Sequence, residues 1–209
     1  MGEILRVPVD RELGDRLRWL VGLRWIAIAF GAVLLPIANW WLGGTLPTTA
    51  LAVTLALVVA YNLAFYLLMH RVLGPPTPRE VHVWLMHAQI LCDLLALTAA
   101  LHFSGGLENP FSVYYVLIVA VGSILMAKRD GYLYAVVATA LWVGLLVAEA
   151  QGWLVHHNLA GFRLPVRYRE ASHIIVEALV LATSNLGVAM IGSSIVERLR
   201  EGEARLYES

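Results

Sequence analysis

The residues best able to do chemistry lie in a short loop and in the apolar segments around it. The loop, 103–111, reads Phe-Ser-Gly-Gly-Leu-Glu-Asn-Pro-Phe, and His102 comes directly before it. Asn109 carries an amide that donates and accepts hydrogen bonds, and Phe111 carries a flat ring. A lipid-soluble quinone needs both kinds of contact. A turn started by Asn109 and Pro110 explains the same residues equally well, so both interpretations stay open.

Polar side chains inside otherwise apolar segments form a second group of candidates. Gln89 and Asp93 are four residues apart, which places both on one face of a helix, and His173 and Glu177 have the same spacing. These residues are consistent with a site for a proton or a ligand, and equally with hydrogen bonding between packed helices. Glu149 lies at the end of its segment, where snorkelling to the interface is enough to explain it.

The seven histidines raise the question of haem or a metal ion. A di-haem bundle needs paired histidines on facing helices at matching depth, and no two predicted helices each carry two well-placed histidines. His156 and His157 are adjacent, but neighbouring histidines alone are not a complete ligand set. We therefore predict no metal ion and no catalytic residue, and keep a haem-binding or structural membrane subunit as an alternative.

Charged residues are unevenly distributed, and six long segments contain almost none of them. Of the 209 residues, 14% are charged and 59% are hydrophobic. A bilayer core about 30 Å thick needs roughly 20 helical residues. The six segments cover about 25–42, 47–69, 82–103, 111–127, 131–150 and 172–196. We predict an all-α integral membrane six-helix bundle, which excludes a soluble enzyme, a disordered chain, a nucleic-acid binder and an outer-membrane barrel.

The basic residues predict the orientation of the bundle. Twelve of the 15 lie before residue 25, in the loops 70–81 and 128–130, or after residue 196, and the other three lie in 151–171. The side rich in Lys and Arg is cytoplasmic by the positive-inside rule, so both termini are expected inside (N-in/C-in). In this interpretation Arg24 precedes the first span, and no Lys or Arg lies within any span.

The string Gly105-Gly106-Leu107-Glu108-Asn109-Pro110-Phe111 resembles the GGxxNPF heptapeptide of the RegB/PrrB family of redox-responsive sensor histidine kinases. In that family the motif lies between the third and fourth of six transmembrane helices and is implicated in binding ubiquinone. Its place in this sequence is the same. The Leu-Arg-Trp stretches at 17–19 and 23–25 and the pair Asp93-Leu94 are also similar to that family. The resemblance extends over essentially the whole chain.

The resemblance implies a six-span sensor domain over 1–196 and the start of a cytoplasmic connecting helix over 197–209, in the inner membrane of a bacterium. It implies that ubiquinone or a related quinone binds at the loop. The implied contacts are Gly105, Gly106, Asn109, Pro110, Phe111 and His102. The implied partners, besides the lipid bilayer, are a second copy in a homodimer and a cognate response regulator.

Kinase activity in that family depends on a phosphoacceptor helix and an ATP-binding domain that follow the sixth span. These 209 residues contain neither, so the chain alone is not expected to be an enzyme. A small transporter coupled to protons or another solute is the main alternative, with Asp93, His173 and Glu177 along its path. The broken helices or inverted repeat often found in transporters are not visible in the sequence.

Overall fold

The computed structural model describes residues 6–72, 78–158 and 169–207, and within these residues every regular element is a helix. The α-helices are α1 (Arg6–Trp41), α2 (Thr48–Val72), α3 (Arg79–Phe103), α4 (Tyr114–Leu125), α5 (Lys128–Ala150) and α6 (Ala171–Tyr207). Two short 3-10 helices, Gly106–Glu108 and Pro110–Val113, lie between α3 and α4. The predicted all-α class is confirmed, and the predicted orientation in the membrane stays a prediction.

Five of these helices are long and apolar enough to cross a membrane, each offering at least 23 residues for the span. The exception is α4, which has 12 residues and therefore a length of about 18 Å, less than the thickness of a hydrocarbon core. It follows the 3-10 helix Pro110–Val113 directly, and the apolar helical stretch Pro110–Leu125 is the shortest of the six. The fourth predicted segment, 111–127, is also the shortest of the six. Its first three residues belong to the 3-10 helix Pro110–Val113, so α4 begins only at Tyr114.

The first helix begins well before the predicted start of the first span at residue 25. The candidate membrane span within it, Gly14–Trp41, includes Arg24, which is only 5% exposed. This corrects the expectation that Arg24 precedes the first span and that no basic residue lies within one. An apolar segment defined by the absence of charged residues stops at Arg24. The folded helix continues past Arg24, because Asp93 of α3 neutralises its charge.

The sixth helix continues without interruption from Ala171 through Tyr207. It therefore includes residues 197–207, the segment expected to begin a connecting helix, while 208–209 lie outside the described residues. The division of the chain at residue 196 into a sensor domain and a connecting helix stays a prediction. Most of the predicted external loop between α5 and α6, residues 159–168, also lies outside the described residues.

The chain divides into two compact units, residues 1–96 and 97–209. In the first unit α1 packs against α2, and α3 contributes residues up to Ala96. The second unit holds the end of α3, both 3-10 helices and the three helices α4, α5 and α6, which pack on one another. Tyr115 of α4 and Trp142 of α5 are fully buried in this second core, with ring centroids 6.0 Å apart.

Small residues set the spacing of α4, α5 and α6 in the second unit. A Cβ atom at Gly131 would lie 2.7 Å from Ser123 Oγ, and one at Gly192 would lie 3.1 Å from Ser123 Cβ. Small residues at such contacts let helix backbones approach closely, which strengthens packing in a bilayer where the hydrophobic effect does not drive helices together. The contact among Ser123, Gly131 and Gly192 therefore fixes how closely the three helices pack.

We predict that Gly131→Val destabilises the protein by about 1–3 kcal/mol, because the added methyl groups force α5 away from Ser123. Gly144→Val is the matched control, since Gly144 lies on the same helix with nothing within 4 Å of the position of its Cβ. Thermal unfolding in detergent measures both variants. Equal loss of stability in the two variants would show that helix propensity, and not this contact, is responsible.

Candidate functional site

An arginine–carboxylate pair lies in the interior of the first unit and joins α1 to α3. Arg24 Nε donates to Asp93 Oδ1 at 2.7 Å, and Arg24 Nη2 donates to Asp93 Oδ2 at 2.8 Å, so the contact is bidentate. The side chain of Arg24 is 4% exposed and that of Asp93 is 22% exposed. Two parallel charge-assisted hydrogen bonds fix the plane of the guanidinium and neutralise both groups away from water.

Three more side chains complete the hydrogen bonding of this ion pair. Arg24 Nη1 donates to Asn62 Oδ1 at 2.8 Å, and Nη1 and Nη2 each donate to Gln89 Oε1 at 3.3 Å. The hydroxyl of Tyr61 donates to Asp93 Oδ1 at 2.6 Å. The guanidinium makes five hydrogen bonds, which equals the number of its N–H groups, so each N–H of the Arg24 side chain can have an acceptor. We refer to Arg24, Tyr61, Asn62, Gln89 and Asp93 as the arginine cluster.

The arginine cluster bears on the two interpretations of the polar face of α3. Gln89 and Asp93 do lie together, but Asp93 is neutralised by Arg24 and does not present a free carboxyl group. This geometry favours hydrogen bonding between packed helices over a site for a proton or a ligand. In the second unit, the ion-pair contact that His173 makes among the described residues is with Glu170, at 3.6 Å, and not with Glu177 four residues later.

A buried carboxylate bridges two histidines in the second unit. Glu149 Oε1 lies 2.7 Å from Nδ1 of His102 at the end of α3, and Glu149 Oε2 lies 2.7 Å from Nδ1 of His156 in the segment after α5. The side chain of Glu149 is 1% exposed, so the assignment of this residue to snorkelling is not supported. The position of His102 beside the loop makes it a candidate from the sequence, whereas its contact with Glu149, 47 residues later, has no local signal.

Two further ionisable groups face this bridge. Glu108 Oε1 lies 4.0 Å from His156 Nε2, and the ring of His157 meets the ring of His102 edge-on, with centroids 5.4 Å apart. Burial, followed by the nearby His102, lowers the pKa of His157 from its ordinary value. We refer to His102, Glu108, Glu149, His156 and His157 as the histidine cluster.

The glycines of the heptapeptide are required by the backbone and by the histidine cluster. Gly105 has φ of 107° and Gly106 has φ of 50°, both in the region that favours glycine. A Cβ atom at Gly106 would also collide with the carboxylate of Glu149. The loop therefore rests directly on the buried carboxylate, and any side chain at Gly106 would displace it.

Asn109 holds the loop closed through its own side chain. Its Oδ1 accepts from the backbone N–H of Phe111 at 2.9 Å, which caps the 3-10 helix Pro110–Val113. Its Nδ2 donates to the carbonyl of Ser104 at 2.8 Å and to the hydroxyl of Ser104. Both N–H groups of the amide are thus used within the loop, which bears out the turn interpretation for Asn109 and Pro110. In this conformation the expected donation from Asn109 to a quinone is not available.

Pro110 and Phe111 are the exposed residues of the heptapeptide, and Phe111 is the aromatic one. Its ring is 40% exposed and stacks on Tyr114, with centroids 5.4 Å apart and planes 17° from parallel. A flat ring such as that of a quinone fits an exposed aromatic face of this kind. A hydrogen-bond donor for a quinone carbonyl would have to come from a group other than Asn109, and His102 Nε2 makes no hydrogen bond among the described residues.

The missed residues share a simple cause. A lone charge such as Arg24 marks the limit of an apolar segment, and a carboxylate near a helix end, such as Glu149, is sufficiently explained by snorkelling to the interface. In each case the partner is far away in the sequence, and spacing along one helix cannot reveal it. The available signal was the burial cost itself, since an isolated charge among apolar residues requires a partner somewhere in the fold.

The geometry defines a class of protein, a polytopic helical membrane domain with ionisable clusters in its interior. The model of the PilS-like transmembrane domain, a six-span family, matches residues 8–206, and the chain belongs to this family. The sensor histidine kinase RegB of Cereibacter sphaeroides is 29% identical over 136 residues, which cover 65% of this chain and 27% of that protein.

Similarity also extends to a second class of membrane protein. The Na+/H+ antiporter NhaA of Janthinobacterium sp. (strain Marseille) is 30% identical over 141 residues, covering 65% of this chain and 29% of that protein. NhaA of Bordetella petrii is 29% identical over 171 residues, covering 77% of this chain and 34% of that protein. The chain spans about a third or less of the length of these relatives. No solved structure matches it.

The family match and the RegB similarity support a transmembrane domain of the sensor-kinase type. Together with the apolar helices, they identify a multi-pass protein of the bacterial inner membrane.

We predict that Asp93→Asn and Arg24→Met each destabilise the protein by about 3–5 kcal/mol, because each leaves the other charge buried and unpaired. The double variant Arg24→Met/Asp93→Leu should recover most of that loss. Arg18→Met is the control, since Arg18 pairs with Asp15 at the surface at 2.8 Å, with 67% and 71% of the two side chains exposed, and such a pair contributes at most about 1 kcal/mol. Thermal unfolding in detergent distinguishes the cases. Additive losses in the double variant would contradict the coupling.

Proposed function

We propose that this chain is the membrane sensor part of a redox-responsive histidine kinase, and that it senses the quinone pool through the loop Gly105–Phe111. In the whole protein, a kinase region that binds ATP would act in a homodimer and transfer phosphate to a response regulator. Membership in the PilS-like family and similarity to RegB support the kinase assignment.

The observation that carries the quinone assignment is the exposed ring of Phe111, stacked on the half-buried Tyr114, at a loop with the GGxxNPF pattern. A quinone ring laid against Phe111 gains dispersion and quadrupole interactions over its flat face. Gly105 and Gly106 keep the backbone close to the neighbouring helix, so the loop presents Phe111 from a fixed position. Asn109 contributes by holding the loop closed through Ser104 and not by direct donation.

A signal requires that the quinone and the hydroquinone bind two arrangements of the helices unequally, since a ligand of equal affinity shifts nothing. The loop joins α3 to α4, and the 3-10 helix Gly106–Glu108 packs on α5. A change in the loop therefore acts on the packing of α4 and α5, both of which contact α6. In this proposal α6 carries the change out of the membrane.

We predict that Phe111→Ala weakens ubiquinone binding about tenfold, because a stacked aromatic contact contributes about 0.5–1.5 kcal/mol beyond its buried area. Phe30→Ala is the matched control, since Phe30 is also a half-exposed ring but lies in the first unit. Binding is measured by quenching of tryptophan fluorescence when ubiquinone is added to the protein in lipid nanodiscs. Unchanged binding in Phe111→Ala would remove the loop as the site.

Asn109→Ala tests the role of the loop shape. It removes the cap on Phe111 N and the contact with Ser104, so we expect weaker ubiquinone binding while the unfolding temperature falls by only a few degrees. Ser104→Ala removes one of the two groups that accept from the Asn109 amide, so it should have a smaller effect in the same direction. If both quinone binding and its redox dependence survive Asn109→Ala, the loop assignment is incorrect.

A proton-coupled transporter is the second candidate, and the similarity to NhaA antiporters is the observation that favours it. Against it, Asp93 is neutralised by Arg24, which leaves no free carboxyl group in the arginine cluster to carry a proton. The test is sodium-driven proton flux in proteoliposomes, followed with a pH-sensitive dye. Flux that Asp93→Asn abolishes would favour the transporter, and its absence is expected under the sensor proposal.

A further inference from the structure

The histidine cluster contains an arrangement that the quinone proposal does not use. Glu149 is almost wholly buried, and both hydrogen bonds that its side chain makes among the described residues come from imidazole rings, those of His102 and His156. Each ring uses Nδ1 for this contact. The carboxylate therefore depends on two groups that can each be neutral or carry a charge, in contrast to Asp93, which has a permanently charged partner.

Charge balance favours an additional proton in this arrangement. If His102 and His156 are both neutral, each donates Nδ1–H to Glu149 and the buried group keeps a full negative charge. If one imidazole is protonated, the three side chains are neutral together and both hydrogen bonds remain. Burying an uncompensated carboxylate is costly, so the protonated arrangement is the more stable one.

The remaining groups of the histidine cluster restrict where that proton lies. The oxygen of Glu108 that faces His156 Nε2 at 4.0 Å favours a positive charge on His156. His157 contacts His102 by its ring, and the pKa of His157 is lowered by burial and by His102. These contacts favour His102 and His156 over His157 as the place of the added proton.

Gain or loss of that proton would act on the loop. Gly106 rests against the Glu149 carboxylate so closely that a Cβ atom would not fit. The same short 3-10 helix carries Glu108, whose carboxylate faces His156. When the shared proton leaves, Glu149 keeps its hydrogen bonds, but the attraction of a positively charged His156 for Glu108 is lost.

We propose that the domain binds a proton as a second ligand, at His102, Glu149, His156 and Glu108, and that this proton holds the loop Gly105–Asn109 against α5. This function is separate from quinone binding and does not depend on it. It gives the domain a response to pH on the side of the membrane where the loop lies.

The test uses the full chain with 15N-labelled histidine in nanodiscs made from synthetic lipids without quinone. NMR of the imidazole nitrogens reports protonation directly, and His102→Gln and His156→Gln assign the two signals. We expect His102 and His156 to change together as the pH is raised, with an imidazolium signal present at neutral pH. In Glu149→Gln the two rings should titrate separately, with midpoints lower by about one pH unit or more.

Glu177→Gln is the matched control, because it makes the same change at a half-buried carboxyl group of the second unit, and Glu177 makes no hydrogen bond to the cluster in the part of the chain that the structure describes. It should leave both titrations unchanged. If Glu149→Gln does not fold, His156→Gln replaces it, because the signal of His102 should then shift alone. Independent titration of His102 and His156 in the unaltered chain would overturn the proposal.

A second measurement tests the link to the loop. A spin label on Val113→Cys, in a chain with Cys92→Ser, should change its mobility over the same pH range in which the two histidines titrate. The change should be lost in Glu149→Gln and kept in Glu177→Gln. A label that does not respond to pH, with histidines that do, would retain the proton site and overturn its control of the loop. Because no quinone is present, failure here leaves the quinone proposal untouched, and loss of quinone binding in Phe111→Ala leaves the proton site untouched.

Discussion

The cost of an uncompensated charge in an apolar interior governs both units of this domain. In the first unit, Arg24 and Asp93 meet that cost with each other, and Tyr61, Asn62 and Gln89 supply the hydrogen bonds that the pair still needs. In the second unit, Glu149 is held by two imidazoles. A guanidinium keeps its charge at any physiological pH, whereas an imidazole does not. The charge that compensates Asp93 in the first unit is therefore permanent. The charge that compensates Glu149 in the second unit depends on the protonation of its two histidine partners.

The sequence was sufficient for what depends on local composition. Runs of apolar residues predicted the helical segments, because a helix in lipid must satisfy its backbone internally and present apolar side chains outward. Local composition could not predict the start of the first span, because the burial of Arg24 depends on its ion pair with Asp93, which is 69 residues away. Glu149 was misjudged for a related reason. Its position near a helix end is local information, and its enclosure by His102 and His156 is not.

The heptapeptide shows how a motif combines residues with different roles. Gly105, Gly106 and Asn109 shape the loop through left-handed backbone angles, a close approach to Glu149 and a side-chain cap. Pro110 and Phe111 are exposed, and Phe111 is the one whose flat ring could stack on a flat ligand. From the sequence alone, Asn109 was the first choice for a ligand contact, because an amide can donate and accept. The turn chemistry that competed with this interpretation accounts for the hydrogen bonds that the amide makes among the described residues.

The sixth helix has a mechanical consequence. Its 37 residues from Ala171 to Tyr207 form one rod about 55 Å long, well over the thickness of a hydrocarbon core. A rod without a break transmits rotation as well as displacement, and each residue turns the helix by about 100°. The angular phase of any helix continued from it is therefore set by residue count. Adding or removing a single residue beyond the membrane would turn the attached surface to another side, while four residues would restore it to within about 40°.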